Sequence, residues 1–576
     1  MIESENSASV NNLSKALGMS RTAAALLMMR GLHDPEPARE FLRPRLSRLS
    51  SPDSMADRAT ATKRIARAIR RQERICVFGD YDCDGITSAA IMTHALRSLG
   101  ADVSVQLANR FDGGYGVSRQ GVERIRRQQP SLLVTCDCGS SDAESLRILA
   151  ESSIETIVID HHLVPSEPLT AVAFLNPRRP DCGFPYKNLA SCGLALSVVA
   201  ALRTELNAPL DLHSYLDLVA IGTVADVVPL DGDNRILVRA GIERMAQSPR
   251  PGLRALFERA RIDTGVSITG EDIAFRIAPR LNAPGRMTAP DVALELLLAK
   301  DDETADQIAD EVEQLQRQRR HAQATMFDEA RAEIEAQAWH RGQAIVIGKE
   351  SWSSGIVGIL AGKLAEHYGL PVIALAFEGD VGRGSVRAPR GVPIYDALSQ
   401  ISDCLLRFGG HQAAAGLDVR KDQVSVLRER FGASCEVHRP VGEATKTLSD
   451  LNGATAIDDQ DDLLQVARDL ALFEPCGEGN RQPRLLARGQ LTRARSVRGG
   501  HLQLEVETPG GQSVRAFGMG LGSKAESLPS ELGIIGTLRV SRYQAIERAE
   551  LRIESLAIDS APLTSSSSES PTCATA

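Results

Sequence analysis

The chain is predicted to be an α/β protein with a parallel-sheet domain, a long connecting helix, a second α/β domain and a C-terminal OB-like β-barrel. Three observations predict this. Short apolar runs alternate with helical stretches between residues 75 and 175, an apolar stripe runs through residues 302–338, and five strand-like segments crowd residues 484–558. Strands alternating with helices imply βαβ units and a mostly parallel sheet.

Residues 1–60 read as an N-terminal helical cap, with a helix around Thr22–Gly31 and a Pro-containing stretch over Asp34–Pro52. Residues 61–74, ATKRIARAIRRQER, are helical and basic, a solvated face in preference to a phosphate-binding one. The first α/β domain is placed at residues 61–290. Its strands are Ile75–Gly79, Val103–Leu107, Leu132–Cys136, Thr156–Ile159 and Ala171–Leu175, with helices such as Thr87–Leu99, which stops at Gly100. A spacing of roughly 25 residues fits right-handed crossovers. Further helices are expected around Ala190–Leu206 and Leu212–Gly222.

Residues 291–342 hold the long helix. Ile308, Val312, Leu315, Ala322, Met326, Ala330 and Ile334 fall mostly three or four apart on one stripe, which suits core packing. Such a helix is about 50 Å long, enough to join two bodies. The second α/β domain, residues 343–445, has an apolar run at Ala344–Ile347, a helix around Ile356–His367 and another run at Pro371–Ala376. Residues 446–559 are β-rich, with strands at Arg484–Leu491, His501–Thr508, Ser513–Gly518, Gly533–Ser541 and Ala549–Ile558. HLQLEVE alternates apolar and polar residues, as a half-buried strand does. Five short strands suit a small barrel, most often an OB-fold. The tail, residues 560–576, contains SSSSES without periodicity and is expected to be disordered.

Composition excludes several classes. Apolar residues make up 43% and charged residues 24%, as in a globular protein. The net charge of −8, from 66 basic and 74 acidic residues, requires any nucleic-acid contact to come from a local basic groove. Aromatics at 4% are too few for an extended base-stacking platform. The ten Cys lack paired C-x-x-C spacing and read as reduced thiols of a cytosolic protein. MIESENSASVNN is polar and acidic, so no signal peptide is expected, and no apolar run reaches the roughly 18 residues of a membrane span.

Three apolar strands end in acid. ICVFG leads to Asp80, Asp82 and Asp84; LLVTC leads to Asp137; TIVI leads to Asp160, His161 and His162. In open α/β sheets the ligand crevice lies outside the carboxyl ends of the strands, so these groups should converge there. Asp226 follows a buried-looking helix in LVAIGTVADVVPL. Like charges at about 4 Å repel by roughly 4 kcal/mol per pair at an effective dielectric near 20. Divalent cations relieve this. Oxygen-rich ligation favours Mg²⁺ or Mn²⁺, and an imidazole tilts the choice toward Mn²⁺. Two such ions sharing a carboxylate would form a clamp for phosphoryl transfer to water. A single Asp after a strand is usually a cap, whereas three acid-tipped strands together are far more specific. D-x-D-x-D-G also resembles the start of a calcium loop, but Ile91 stands where that loop needs Glu. A response-regulator domain has no D-H-H.

VFGDYDCDGITS, TCDCGSSD, VIDHH and GTVADVVPL resemble the four motifs of the DHH phosphoesterase superfamily. FGGHQAAAG, Phe408–Gly416, resembles the signature of the DHH-associated domain, which assigns residues 61–290 as the DHH catalytic domain and 343–445 as the DHH-associated domain. NRFDGGYGVS, APRLNAPGR and the β-rich C-terminus are similar to the bacterial single-strand-specific DNA exonucleases of that superfamily. The resemblance spans roughly residues 40–560. It implies two metals held by Asp82, Asp84, Asp137, His161 and Asp226, with Asp137 bridging. Asp80 is either an added ligand or an acceptor behind the ligands. Asp160 is expected to orient His161, and His162 to face the scissile phosphate.

Arg110, Arg280 and Arg286 stand beside turn residues, apt for bidentate phosphate contact. GRGSVRAP offers Arg383 and Arg387 with a Gly384–Ser385 backbone that a phosphate could approach closely, although Val386 departs from the Gly usual there. Gly409, Gly410 and His411 would meet substrate from the second domain, while Ala413–Ala415 suits helix packing. Gly384, Ser385 and Arg387, with Arg280, suit a terminal phosphate dianion. Trp352 is followed by Ser353, where relatives commonly have His.

The resemblance implies a metal-dependent 5′→3′ exonuclease that releases mononucleotides from single-stranded DNA in repair and recombination. The barrel would guide the strand. It further implies a cytoplasmic monomer that meets single-strand-binding protein and a helicase. Two alternatives are a short-oligonucleotide or cyclic-dinucleotide phosphodiesterase of the same superfamily and a non-catalytic DHH-type replication scaffold. The first needs no barrel, and the second typically loses metal aspartates that this chain keeps.

Overall fold

The computed structural model describes residues 2–265, 268–389, 391–410, 414–437, 454–543 and 546–557. The expected tail, residues 560–576, lies outside them, as do His411 and Ala413. The chain forms two compact units. One holds the described residues of Arg45–Thr445 and Gly477–Asn480, the other those of Met1–Pro44, Lys446–Cys476 and Arg481–Ala576.

The larger unit starts with five parallel strands, β1 (Ile75–Gly79), β2 (Val103–Leu107), β3 (Leu132–Cys136), β4 (Glu155–Ile159) and β5 (Ala173–Leu175), in the order β2-β1-β3-β4-β5. Alternating side chains fill two cores. Val77, Val134 and Ile157 face one, and Phe78, Leu133 and Val158 face the other. Both faces are covered, which is why β1 and β3 read as unbroken apolar runs. The strand order reverses between β1 and β3, the switch point where such sheets bind ligands.

Register then positions the acids. Gly79 pairs with Cys136, Cys136 with Ile159, and Ile159 with Leu175. The next residues, Asp80, Asp137 and Asp160, each donate their N–H one strand over, to Cys136, Ile159 and Leu175. Three carboxylates therefore leave the sheet on one rung.

The basic helix runs over Arg58–Arg70 and is not simply a solvated face. Arg64 is buried and pairs with Glu73 at 2.8 Å and Glu155 at 2.6 Å, and Arg70 reaches Glu205 at 3.2 Å. The long helix is Asp302–Ala336, capped by Asp301, whose side chain accepts from the Thr304 N–H. Its stripe is shared between two cores: Ala305, Ala309 and Val312 belong to the first domain, and Met326, Ala330 and Ile334 to the second.

The second domain of this unit has strands β6 (Ile345–Lys349), β7 (Val372–Glu378), β8 (Val381–Arg387), β9 (Arg407–Gly410) and β10 (Ala414–Arg420), in the order β6-β7-β8-β10-β9. Only β6 and β7 are parallel. Ala414 and Ala415 open β10, which corrects the helix-packing expectation for that run. β8 was hidden by its glycines, whose reason is packing: a Cβ on Gly384 would lie 2.6 Å from Leu375 and 3.0 Å from Leu417.

The smaller unit is built on strands β11 (Ala454–Ala456), β12 (Arg484–Val497), β13 (His501–Glu507), β14 (Ser513–Gly518), β15 (Glu531–Tyr543) and β16 (Ile546–Ala557). The last five close on themselves through β12–β13–β14–β16–β15 and the β12–β15 pairing, an OB-like barrel, and β11 adds to β12 in parallel. The N-terminal helices join this unit. Leu13, Ala23, Leu27 and Leu42 share one core with Val466, Phe473, Leu485 and Val506. The cap expected over residues 1–60 is thus divided, because the apolar face of its helices is buried against the barrel unit. The Cys among the described residues are buried and form no disulfides with one another, and no helix among those residues is long and apolar enough to cross a membrane.

Candidate metal centre and the cleft beside it

Two overlapping groups of ligand atoms lie within 4.8 Å of one another, Asp84 with His161 and Asp226, and Asp137 with His161 and His162. His161 Nε2 stands 3.2 Å from Asp226 Oδ2 and 3.4 Å from Asp137 Oδ1. Each acid is aimed by its element. Asp84 opens the helix Cys83–Ser98 and accepts N–H bonds from Ser191 at 2.8 Å and Cys192 at 3.0 Å, at the start of the helix Ser191–Glu205. Asp226 caps the end of the helix Leu216–Ala225. Asp137 sits at φ +63°, and its Oδ1 accepts from Ser191 Oγ at 3.0 Å.

Asp80 and Asp82 are placed differently. Asp82 caps the helix Cys83–Ser98, accepting from the Gly85 N–H at 3.2 Å. Asp80 is buried, and its Oδ1 accepts from the Gly116 N–H at 3.3 Å. Neither belongs to the two groups, yet the charge of Asp82 acts on Asp80, Asp84, Asp137 and Asp226.

The D-H-H acid corrects one expectation. Asp160 orients His162, whose Nδ1 is 2.8 Å from Asp160 Oδ1. The same oxygen accepts the N–H of His161 at 2.8 Å and of His162 at 3.2 Å, and Ser140 N–H takes Oδ2 at 2.9 Å. The His161 ring points the other way, and neither of its nitrogens has a hydrogen-bond partner among the described residues. Burial and the adjoining His162 charge lower it to about 3, so it is the neutral imidazole a metal requires. Burial acts to lower His162, but the Asp160 bond and charge, with the charges of Asp226 and Asp82, together outweigh it and raise the ring to about 9. Asp160 itself is held below the usual carboxylate range, because the His162 bond and charge outweigh its burial.

Four other carboxyls of the site are pushed up. Burial, then neighbouring acids, raise Asp80 and Asp137 well above normal, Asp84 to about 6 and Asp226 to about 9. Buried Asp80 Oδ2 and Asp137 Oδ2 have no hydrogen-bond donor among the described residues. Crowded carboxylates with unsatisfied oxygens beside a neutral imidazole are what a divalent cation fits.

A cleft of about 580 Å³ adjoins these loops, lined by Tyr81, Arg110 and Arg286 from the first domain and by Arg383, Ser385, Arg387 and Arg407 from the second. Arg110 stacks on Tyr81 at 4.1 Å, with its Nε buried and unpartnered among the described residues. Arg286 is lowered to about 10 by burial and then by Arg110 and Arg319. Arg387, lowered by burial and Arg110, donates to Ser385 Oγ at 3.0 Å. The charge of Arg110 thus acts on both Arg286 and Arg387.

Arg280 is not among them, which overturns its expected role. Its Nε donates to Glu313 Oε2 at 2.7 Å, and its two Nη atoms donate to the carbonyls of Arg276 and Arg259. Gly384 and Gly410 do line the cleft. The Gly384 backbone, however, is paired on both sides, to Leu375 and Leu417, so it is committed to the sheet and the expected close approach of its main chain to a phosphate is corrected. Gly410 has φ +145°, and a Cβ there would lie 2.5 Å from the Ala414 carbonyl. Trp352 is buried and donates to Glu329 at 2.9 Å. Nothing in the sequence marked Tyr115, whose hydroxyl reaches both Asp137 and His162, or Ser191, or Arg407 in the cleft, or Asn176, whose amide donates to the His162 carbonyl at 2.8 Å. Only Tyr115 lay in a quoted motif, and nothing in its spacing marked it.

Three family models match: the DHH family N-terminal domain over residues 74–223, the DHHA1 domain over 341–436 and the RecJ OB domain over 456–555. The chain is 35% identical to the single-stranded-DNA-specific exonuclease RecJ of Dickeya dadantii over 524 residues, covering 86% of this chain and 89% of that protein. It is 32% identical to the RecJ of Bacillus subtilis over 560 residues, covering 95% of this chain and 69% of that protein. The crystal structure of Thermus thermophilus RecJ in complex with Mn²⁺ superposes with a TM-score of 0.80 at 31% identity, over 96% of this chain and 78% of that one. The three domain matches follow the order of the catalytic, associated and barrel domains, and the relatives align across all of them. The chain belongs to the RecJ family of single-stranded-DNA-specific exonucleases.

Proposed function

We propose that this chain is a divalent-metal-dependent exonuclease that digests single-stranded DNA from the 5′ end, releasing mononucleotides, in DNA repair and recombination. The observation that carries this is the juxtaposition of the Asp84–Asp137–His161–Asp226 group with the arginine-lined cleft. Tyr81, between Asp80 and Asp82, lines the cleft directly, and Arg110 acts on Asp80.

Asp84, Asp137, His161 and Asp226 would hold two Mn²⁺ or Mg²⁺ ions, with Asp82 adding charge and Asp80 behind them. When bound, such ions polarise a phosphoryl oxygen and make water acidic enough to attack. The chain's own groups do the rest. Asp160 holds His162 by Nδ1, which leaves Nε2 for the scissile phosphate. Arg110, Arg286 and Arg387 attract the backbone, and Ser385 Oγ with Arg387 suits a terminal 5′ phosphate. The barrel adds strand contacts of its own. On family grounds we extend the reading to a cytoplasmic monomer that works with single-strand-binding protein and a helicase.

Digestion of 5′-labelled and 3′-labelled single strands, with Mn²⁺ and with chelator, tests the reading. Early release of the 5′ label as a mononucleotide, only with metal, is expected. Loss of the 3′ label first overturns the direction. Hydrolysis of di- and trinucleotides alone would favour the short-oligonucleotide phosphodiesterase.

A further inference from the structure

The loop between β2 and the helix Arg119–Gln128 is seated on the metal site by contacts that the proposed chemistry does not use. Gly113, Gly114 and Gly116 have φ of +93°, +87° and +75°, which lets the loop turn back on itself. Gly116 donates to Asp80 Oδ1 at 3.3 Å, and a Cβ there would lie 2.7 Å from Asp142 Oδ2. Tyr115, held between these glycines, packs edge-on against the His162 ring at 5.3 Å.

The Tyr115 hydroxyl has one proton and two neighbours. It donates to the Asp137 carbonyl oxygen at 3.2 Å, so it turns a lone pair toward His162 Nδ1, 3.0 Å away. On its other side Nδ1 faces the Asp160 carboxylate at 2.8 Å. Two acceptors at one ring nitrogen require a proton to sit there whether the ring is neutral or charged, which leaves Nε2 for the substrate phosphate. The Asp137 peptide that Tyr115 holds is in the left-handed region, at φ +63°, which L-residues seldom adopt.

We propose that Tyr115 is a positioning residue of the nuclease site, fixing the His162 ring with its proton on Nδ1 and pinning the left-handed Asp137 peptide that aims the metal-facing carboxylate. The inference rests on the nuclease reading and adds to it a residue outside the metal and phosphate sets.

Tyr115→Phe removes one oxygen and keeps the ring. With Mn²⁺ and a single strand, kcat should fall about ten- to a hundredfold while KM stays within about twofold, since the interaction serves the reacting geometry and not strand binding. The same change in a His162→Ala background, read by single-turnover kinetics, should cost less, because the His162 part of its role is gone and only the Asp137 carbonyl contact at 3.2 Å remains to be lost. A kcat within about twofold of wild type overturns the proposal. So does a loss of equal size in both backgrounds, which is what a folding defect or direct strand contact would give. A wild type without metal-dependent hydrolysis fails the nuclease reading and this inference together, whereas an unaffected Tyr115→Phe on an active enzyme fails the inference alone.

Discussion

Asp160 Oδ1 and His162 Nδ1 stand 2.8 Å apart, and that same oxygen accepts the main-chain N–H of both histidines that follow it. Burial acts to lower His162, and this contact, with the charges of Asp160, Asp226 and Asp82, reverses that and raises the ring to about 9. Asp160→Asn removes that carboxylate's charge. Its kcat should fall at least tenfold, and the alkaline limb of its pH–rate profile should move to lower pH. An unmoved limb would separate His162 from the chemistry.

Asp137→Asn should all but abolish hydrolysis and leave single-strand binding nearly intact, because the cleft arginines remain. Asn tolerates the left-handed backbone at this position, so the change is one of charge. Retaining more than about a tenth of wild-type kcat, a barrier change under about 1.4 kcal/mol, would remove Asp137 from the metal group.

The metal-free protein should lose stability as pH rises above about 6.5, where the opposing contribution of the neutral His161 is already complete. Asp84 is raised to about 6 and Asp226 to about 9 from an ordinary 3.8, so the folded chain holds these protons more tightly than the unfolded one. Their contribution is greatest at low pH and is lost progressively between about pH 4 and 9. Mn²⁺ takes the place of the protons, so it should raise Tm more at about pH 8 than at pH 6. Melting curves in chelator and in Mn²⁺ check both signs.

Arg280 and Arg387 should separate stability from end recognition. Arg280→Ala leaves Glu313 with a lone contact at 3.7 Å to Arg317, and should cost about 2 kcal/mol in urea denaturation with no change in preference for a 5′ phosphate. Arg387→Ala should lower that preference about tenfold, measured as KM for 5′-phosphorylated against 5′-hydroxyl strands at one salt concentration. Equal weakening of both strands would make Arg387 a contact for internal phosphates.

Asp461→Ala should weaken the barrel unit. Asp461 accepts the N–H of Arg21 at 3.0 Å and of Thr22 at 2.7 Å, capping an N-terminal helix from the far end of the sequence. Losing such a cap costs about 1 kcal/mol, a melting shift of about 2–4 °C. An unchanged transition would mean that the N-terminal helices contribute little to the barrel unit.

The parallel sheet, the long helix, the closed barrel and the acids at the strand ends were all legible in the sequence. They follow from local rules, since apolar period separates strand from helix and an acid just past a strand must emerge at the sheet edge. Which groups those side chains meet emerged only from tertiary packing. Arg280 looked free because Glu313, its partner, stands on the long helix. Asp160 was assigned to His161, the nearer neighbour in sequence, yet its carboxylate turns to the His162 ring because Ser140 N–H and both histidine N–H groups fix its direction. The GRGSVRAP segment read as a phosphate loop because its glycines answer to side chains on neighbouring strands, Gly382 to Phe377 and Gly384 to Leu375 and Leu417. Helices at the N-terminus found their core against the C-terminal barrel. Periodicity reports which face of an element is buried. The identity of the partner depends on packing between segments far apart in the chain, and no local pattern carries it.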